Sequence, residues 1–231
     1  MVIVANHPLG ALDGLSLLKL VGEVRRDVKI VANDMLMNVE ALESLFLPVD
    51  NLSRSTRKSN VARIIDCLNR DEAVIVFPAG EVSRIRPNGV RDGKWSTGFL
   101  NFARKTNAPI LPVYIDARNS SLFYSASMVY KPLSGMMLAH EMFNQHSKNI
   151  SVRVGEAIAF QQIDQLPLLK AEKAKLLRRH LYRMAKGKKP LFVTEQTIAH
   201  PQERRIIKRE LQQAELLGET ADNKKIYLFD Y

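Results

Sequence analysis

Cysteine is nearly absent. Cys67 stands alone in 231 residues, so there is no intrachain disulfide framework, and the chain suits a reducing compartment. With no second cysteine and only five scattered histidines, a structural metal site is not expected. Aromatic residues make up just 7% and do not interleave with the basic ones as in RNA-binding sheets, so nucleic acid is not the expected partner. No apolar run approaches the roughly 20 residues of a membrane-spanning helix. No basic start followed by an apolar core and a cleavage site marks a secretory signal, and no internal repeat is visible.

What is present is a globular composition with an excess of positive charge. At 46% hydrophobic and 25% charged residues, the chain can bury a core. The net charge of +10 points to an anionic partner such as a phosphorylated substrate or an anionic membrane surface.

Strand-like and helix-like stretches alternate, which argues for an α/β fold. Val2-Ile3-Val4-Ala5 reads as a buried strand that stops at Asn6-His7. Pro8, Gly10 and Gly14 break the pattern, and Leu17, Leu20, Val21 and Val24 then recur at helical spacing. A strand thus delivers a histidine to a loop, and the loop hands Asp13 to a helix; ligands of open α/β sheets bind beyond such strand ends. The strand begins almost at Met1, and residues upstream of it are expected to be missing.

Further strands are expected at 28–32, 47–50, 73–77, 109–115 and 150–154, with helices at 33–46, 56–70, 97–106 and 167–186. Pro112 inside its strand implies an edge or a bulge. Pro167 suits the first turn of its helix. Cys67 lies beside a helical apolar stripe and reads as a small core residue. The stretch 119–148 is helical and rich in methionine, including Met128, Met136, Met137 and Met142. It serves either adaptable core packing or an acyl-chain groove or membrane-facing patch. The last of these helices carries Lys170, Lys173, Lys175, Arg178, Arg179 and Arg183, either as a solvated face or as an attachment to anionic head groups. His140, His146, His180 and His200 read as ordinary surface or core residues without partners.

The strand at 73–77 ends at Pro78-Ala79-Gly80, and a loop runs to about Trp95, long for a strand-to-helix connection. It holds Arg84, Arg86, Arg91 and Lys94 against Glu81 and Asp92. A neutral imidazole removes a proton from an attacking hydroxyl or amine, a carboxylate on its other nitrogen fixes the tautomer, and cations with loop N–H groups hold an oxyanion or a phosphate.

Asn6-His7-Pro8 through Asp13-Gly14 resembles the histidine–aspartate motif of the lysophospholipid acyltransferase superfamily, the glycerolipid O-acyltransferases of the PlsC type. Phe77-Pro78-Ala79-Gly80-Glu81-Val82-Ser83 resembles its phenylalanine-proline-glutamate-glycine motif, and Ile110-Leu111-Pro112-Val113 its later proline-bearing strand. The order matches, and the resemblance covers about residues 1–119, with the elements to about Lys189 fitting the rest. The phrase Arg91-Asp92-Gly93-Lys94-Trp95 is similar to a bacterial branch labelled hemolysins. The acyltransferase domain of that branch resembles enzymes that complete lyso-ornithine lipid.

The resemblance implies an α/β fold with a central mixed, largely parallel sheet flanked by helices. It implies an acyltransferase domain at 1–190, followed at 191–231 by a linker and the start of an acetyltransferase-like domain. His7 would be the general base and Asp13 its orienting partner. Asn6, Pro78, Gly80, Glu81, Ser83, Arg84, Arg86 and Lys94 would bind the acceptor or the carrier phosphate. The donor would be a thioester of acyl carrier protein or coenzyme A, with no other cofactor. The acceptor would be a lyso-lipid: lysophosphatidate, lyso-ornithine lipid or lyso-glycine lipid. The expected location is cytoplasmic, peripheral on the inner face of the cytoplasmic membrane. The alternative is a basic, membrane-associated module without enzymatic activity.

Three departures bear on this. The superfamily spaces its aspartate one residue closer to the histidine, so Asp13 reaches His7 only if the loop bulges and otherwise merely caps the helix. The motif's glutamate falls at Ala79, with Glu81 displaced. An arginine block near the third strand is replaced by Val49-Asp50-Asn51, with Arg54 and Arg57 beyond it.

Overall fold

Val2–Ala5 forms β1, and its four apolar residues are at most 1% exposed. A strand with no polar alternation must be covered on both faces, and in this computed structural model it is. The structure describes residues 1–32, 40–48, 54–87, 89–129, 137, 141, 150–188 and 191–192. In chain order follow α1 (Ala11–Gly22), β2 (Val28–Ala32), a 3-10 turn (Glu40–Leu45), β3 (Phe46–Pro48), α2 (Arg54–Asn69) and β4 (Ala73–Val76). After them come β5 (Arg84–Arg86), β6 (Gly89–Arg91), α3 (Gly98–Thr106), β7 (Ile110–Asp116), α4 (Ser121–Val129), β8 (Ser151–Val154), α5 (Phe160–Asp164) and α6 (Lys170–Ala185).

The main sheet has the order β3-β2-β4-β1-β7-β8. It is parallel except for β8, which runs antiparallel to β7. Val2 and Val4 point into one core with Ile64 of α2, Phe99 of α3 and Leu177 of α6. Ile3 and Ala5 point into the other, with Leu17 and Leu18 of α1. The expected mixed, largely parallel sheet between helices is the fold observed. Cys67 is a buried core residue of α2, and burial pushes its thiol above the ordinary range.

Pro112 is not on an edge, since β8 lies beyond β7. It sits at a bulge: Ile110 pairs with Ile158 and Val113 with Val154, so residues 155–157 oppose only 111 and 112. The Pro112 carbonyl accepts from the Gly155 N–H at 2.9 Å, and the misregister removes the need for the N–H that proline lacks.

Three other expectations change. Phe46, placed at the end of a helix, begins β3 opposite Ile30; burial of Phe46 and Leu47 in the sheet outweighs local helical spacing. Residues 33–39 of that helix lie outside the described residues. The loop after β4 contains the antiparallel β5–β6 hairpin. Helix α6 begins at Lys170, with Pro167 ahead of it: Leu169 is extended, and its N–H donates to the Glu172 carboxylate at 2.6 Å. Met137 packs against Val82, Phe123 and Tyr124, whereas Met136, Met142, His140, His146 and His200 lie outside the described residues. So does the expected second-domain start, apart from Leu191 and Phe192, which are buried in the core. Among the described residues, no helix is long and apolar enough to cross a membrane.

Three basic residues of α6 bond within the fold, Arg178 inward and Lys170 and Lys173 at the surface. Arg178 donates to the Asp92 carbonyl at 2.9 Å, Lys173 to the Asp164 carbonyl at 2.8 Å and Lys170 to Asn101 at 3.0 Å. His180, expected to lack a partner, is 3% exposed and accepts the Leu191 N–H on Nδ1 at 3.1 Å. Burial, reinforced by Arg183, lowers its pKa to about 4.

Because the folded pKa lies below that of an unfolded histidine, neutral His180 contributes stability at pH 7. That contribution erodes as pH falls from about 6.5 toward 4. Urea unfolding at pH 7, 5.5 and 4 should show an acid-dependent loss of about 3 kcal/mol from this residue. His180→Gln should flatten the pH dependence by that amount, and identical slopes for the two proteins would refute the assignment.

Candidate active site

The loops that follow β1, β4 and β7 meet at the carboxyl edge of three neighbouring strands. The first is shaped by Asp13, in the opening turn of α1 and fully buried. Its Oδ2 accepts three N–H groups: His7 Nδ1 at 3.0 Å, Leu9 N at 2.8 Å and Gly10 N at 3.1 Å. Gly10, at φ 87°, provides the left-handed turn that points both backbone amides back at the carboxylate. The extra residue between His7 and Asp13 is thereby absorbed, and Asp13 holds both the helix terminus and the imidazole. Burial pushes the Asp13 carboxyl above its ordinary range, while these three donors and the positive end of α1 pull the other way.

With Nδ1–H facing Asp13, Nε2 is left as the basic nitrogen of the ring. The His7 side chain is 19% exposed. Phe77, at the end of β4, stacks on the ring at a centroid distance of 4.2 Å and 20° between planes.

The second loop is tied to the first through backbone. The Ser83 N–H donates to the His7 carbonyl at 2.7 Å. The His7 N–H donates to Asp92 Oδ1 at 3.1 Å. Ser83 Oγ donates to the same Oδ1 at 2.5 Å, and Trp95 Nε1 to Asp92 Oδ2 at 2.8 Å. The backbone of Asp92 is held in turn by α6: its N–H donates to the Tyr182 hydroxyl at 2.8 Å, and its carbonyl accepts from Arg178. Burial raises the Tyr182 phenol well above its usual range and lowers the Arg178 guanidinium.

From the third loop, Asn119 donates through Nδ2 to the Pro8 carbonyl at 3.0 Å. Its backbone N–H donates to the Tyr124 hydroxyl at 3.2 Å, and Ser120 next to it is held by buried Glu141.

Four of the expected binding residues, Asn6, Ser83, Pro78 and Gly80, have these places in the structure. Asn6, 3% exposed, donates to and accepts from the Ile115 backbone at 2.9 and 2.7 Å, fastening the end of β1 to β7. Ser83, 1% exposed, faces Asp92 and not solvent. Pro78 is buried, and its carbonyl accepts from the Ser96 N–H. Gly80 is exposed at the turn, with φ 65°.

The remaining candidates are Arg84, Glu81, Arg86 and Lys94, on or beside the β5–β6 hairpin. Arg84 leads off Ser83 and lies 5.5 Å from the Phe123 ring centroid. Glu81 and Arg86 reach over Gly93; a Cβ there would meet Glu81 Oε1 at 3.1 Å and Arg86 Nη2 at 3.4 Å. Arg86 and Lys94 are exposed. The side chains of Arg54 and Arg57 lie outside the described residues.

Asp92 and Asn119 are the two residues that sequence reasoning missed. Asn119 follows β7, the other strand flanking β1, and position in an open sheet could have flagged it. Asp92 read as one charge among several in a basic loop.

A partly exposed histidine, bonded to a buried carboxylate and stacked on Phe77, sits where three strand ends converge. Residues 1–189 match the family model described as acyltransferase, and the chain belongs to that family. It is 33% identical over 171 residues to the lyso-glycine lipid O-acyltransferase of Bacteroides thetaiotaomicron, covering 70% of this chain and 62% of that protein. It is 29% identical over 170 residues to the lyso-glycine lipid O-acyltransferase of Phocaeicola vulgatus, covering 70% and 60%. The chain therefore spans about three fifths of the length of these curated relatives. Among solved structures, the 1-acyl-sn-glycerophosphate (LPA) acyltransferase PlsC from Thermotoga maritima is similar, with a TM-score of 0.48 and 15% identity over 80% of this chain and 66% of that one.

The Asp13–His7 bond makes a spectroscopic prediction. Asp13→Ala removes the one oxygen that all three donors share, so nothing then holds the ring proton on Nδ1. The ring should then switch to the tautomer with hydrogen on Nε2, visible in the ¹⁵N shifts of labelled histidine, at a stability cost of about 1–3 kcal/mol. Unchanged ring shifts would show that Asp13 does not set the tautomer.

Proposed function

We propose that this chain is a lyso-lipid O-acyltransferase that works by direct transfer, with His7 as general base. The observation that carries the reading is the 3.0 Å bond between His7 Nδ1 and Asp13 Oδ2, within a chain of the acyltransferase family. Nε2 of His7 takes the proton of the acceptor hydroxyl as the oxygen attacks the thioester carbonyl carbon. The new C–O bond forms, the C–S bond breaks, and the thiolate leaves with the proton returned by the imidazolium. Asp13 steadies that imidazolium without taking its proton. Buried Cys67, its thiol raised by burial, is unsuited to act as a covalent nucleophile.

Arg84, Arg86 and Lys94 would hold an anionic group of the acceptor or the phosphate of the carrier, and Glu81 would line the same mouth. The names of the two bacterial relatives favour lyso-glycine lipid over lysophosphatidate or lyso-ornithine lipid as acceptor. The donor is the thioester of acyl carrier protein or of coenzyme A, with the protein working at a membrane surface.

The test is transfer of palmitoyl groups from palmitoyl-coenzyme A and from palmitoyl–acyl carrier protein, offered separately with lyso-glycine lipid and with lysophosphatidate, read by mass spectrometry. His7→Ala should lower transfer by about 100- to 10,000-fold while leaving the melting temperature close to that of the parent. Transfer at near parental rate in the variant would end the proposal.

A further inference from the structure

A second buried carboxylate stands behind the first. Asp92 is 0% exposed, lies 79 residues beyond Asp13 in the chain, and carries no role in the reading above. Its hydrogen bonds form a closed figure around His7. Asp92 Oδ1 accepts the His7 N–H, Ser83 N–H donates to the His7 carbonyl, and the Ser83 hydroxyl returns to Asp92 Oδ1. Both backbone polar groups of His7 are therefore fixed, one by Asp92 directly and the other through Ser83. Asp92 Oδ2 is held by Trp95, and the Asp92 backbone by Tyr182 and Arg178 of α6.

We propose that Asp92 is the positioning residue of the acyl-transfer site, holding the His7 backbone from both sides and anchoring it to α6. The proposal rests on the reading of His7 as general base. Asp13 sets how the imidazole is turned, and Asp92 sets where it stands. A carboxylate is needed because all three of the groups that its oxygens face are donors: a backbone N–H, a hydroxyl and an indole N–H. An asparagine in its place turns an NH₂ toward one of them, donor against donor. Placement matters in a direct transfer, since a shift of the base by about 1 Å costs on the order of 100-fold in rate.

The experiment compares the parent chain with Asp92→Asn and Ser83→Ala in the palmitoyl transfer assay and by NMR of ¹⁵N-histidine-labelled protein. In Asp92→Asn, kcat should fall about 10- to 100-fold with KM within about twofold. The His7 amide proton should move upfield as its charge-assisted bond is lost, and the ring signals of His7 should broaden. Ser83→Ala deletes one hydroxyl, should melt within about 4 °C of the parent, and should lower kcat about tenfold with KM again preserved. If Asp92→Asn fails to fold, Ser83→Ala decides the matter.

Parental kcat in the folded variants, or a His7 spectrum unmoved by Asp92→Asn, would overturn the proposal. So would a loss confined to melting temperature, which marks a merely structural residue. The His7 spectrum does not depend on turnover. If His7→Ala retains transfer, the proposed function falls, while the positioning of His7 by Asp92 is still judged on the NMR.

Discussion

Oδ2 of Asp13 is one oxygen with three N–H groups around it, and the loop between β1 and α1 takes its shape from that convergence. Two of the donors are backbone amides, that of the N-cap Gly10, which a helix start would otherwise leave without a partner, and that of Leu9 before it. The third is an imidazole. The same interaction therefore stabilises the first turn of α1 and orients the ring, and neither job can be altered without disturbing the other. The left-handed Gly10 makes this possible by letting a longer spacer fold back on itself.

That loop is useful only because of what lies under it. β1 is buried on both faces between β4 and β7, so its end is a fixed point, and the loops leaving all three strands are brought together over it. Asn6 ties β1 to β7 at that end, Asn119 reaches from beyond β7 to Pro8, and Ser83 reaches from beyond β4 to His7. Each link is short, and each joins residues far apart in the sequence. Precision at the imidazole comes from long-range contacts converging on a rigid edge, and little of it from the loop's own sequence.

This explains which parts were legible in the sequence. The apolar runs of β1 and β4 report burial directly, and the histidine–aspartate and proline-alanine-glycine phrases mark strand ends. The inward bonds of Ser83 and Asn6 were not legible, because a polar residue in a loop looks the same whether it faces a substrate or the interior. Asp92 was obscured by its neighbours: among Arg84, Arg86, Arg91 and Lys94, an acid suggests charge balance, and only the fold reveals its three donors. Among the basic residues of α6, one inward role was hidden. A run of lysines and arginines suggests an outer face, yet Arg178 reaches inward to the Asp92 carbonyl. Pro112 was half legible, since proline in a strand signals an interrupted ladder but not whether an edge or a bulge interrupts it.

Trp95 carries a practical consequence. It is the only tryptophan in the chain, it is buried edge-on against Phe99 at 5.9 Å, and its indole N–H is bonded to Asp92. Indole emission responds to the loss of such a bond and to the entry of water. The chain thus has a single intrinsic fluorophore seated in the network around His7. Any event that disturbs the bonds of Asp92 would change the emission of Trp95 and can be followed without a label.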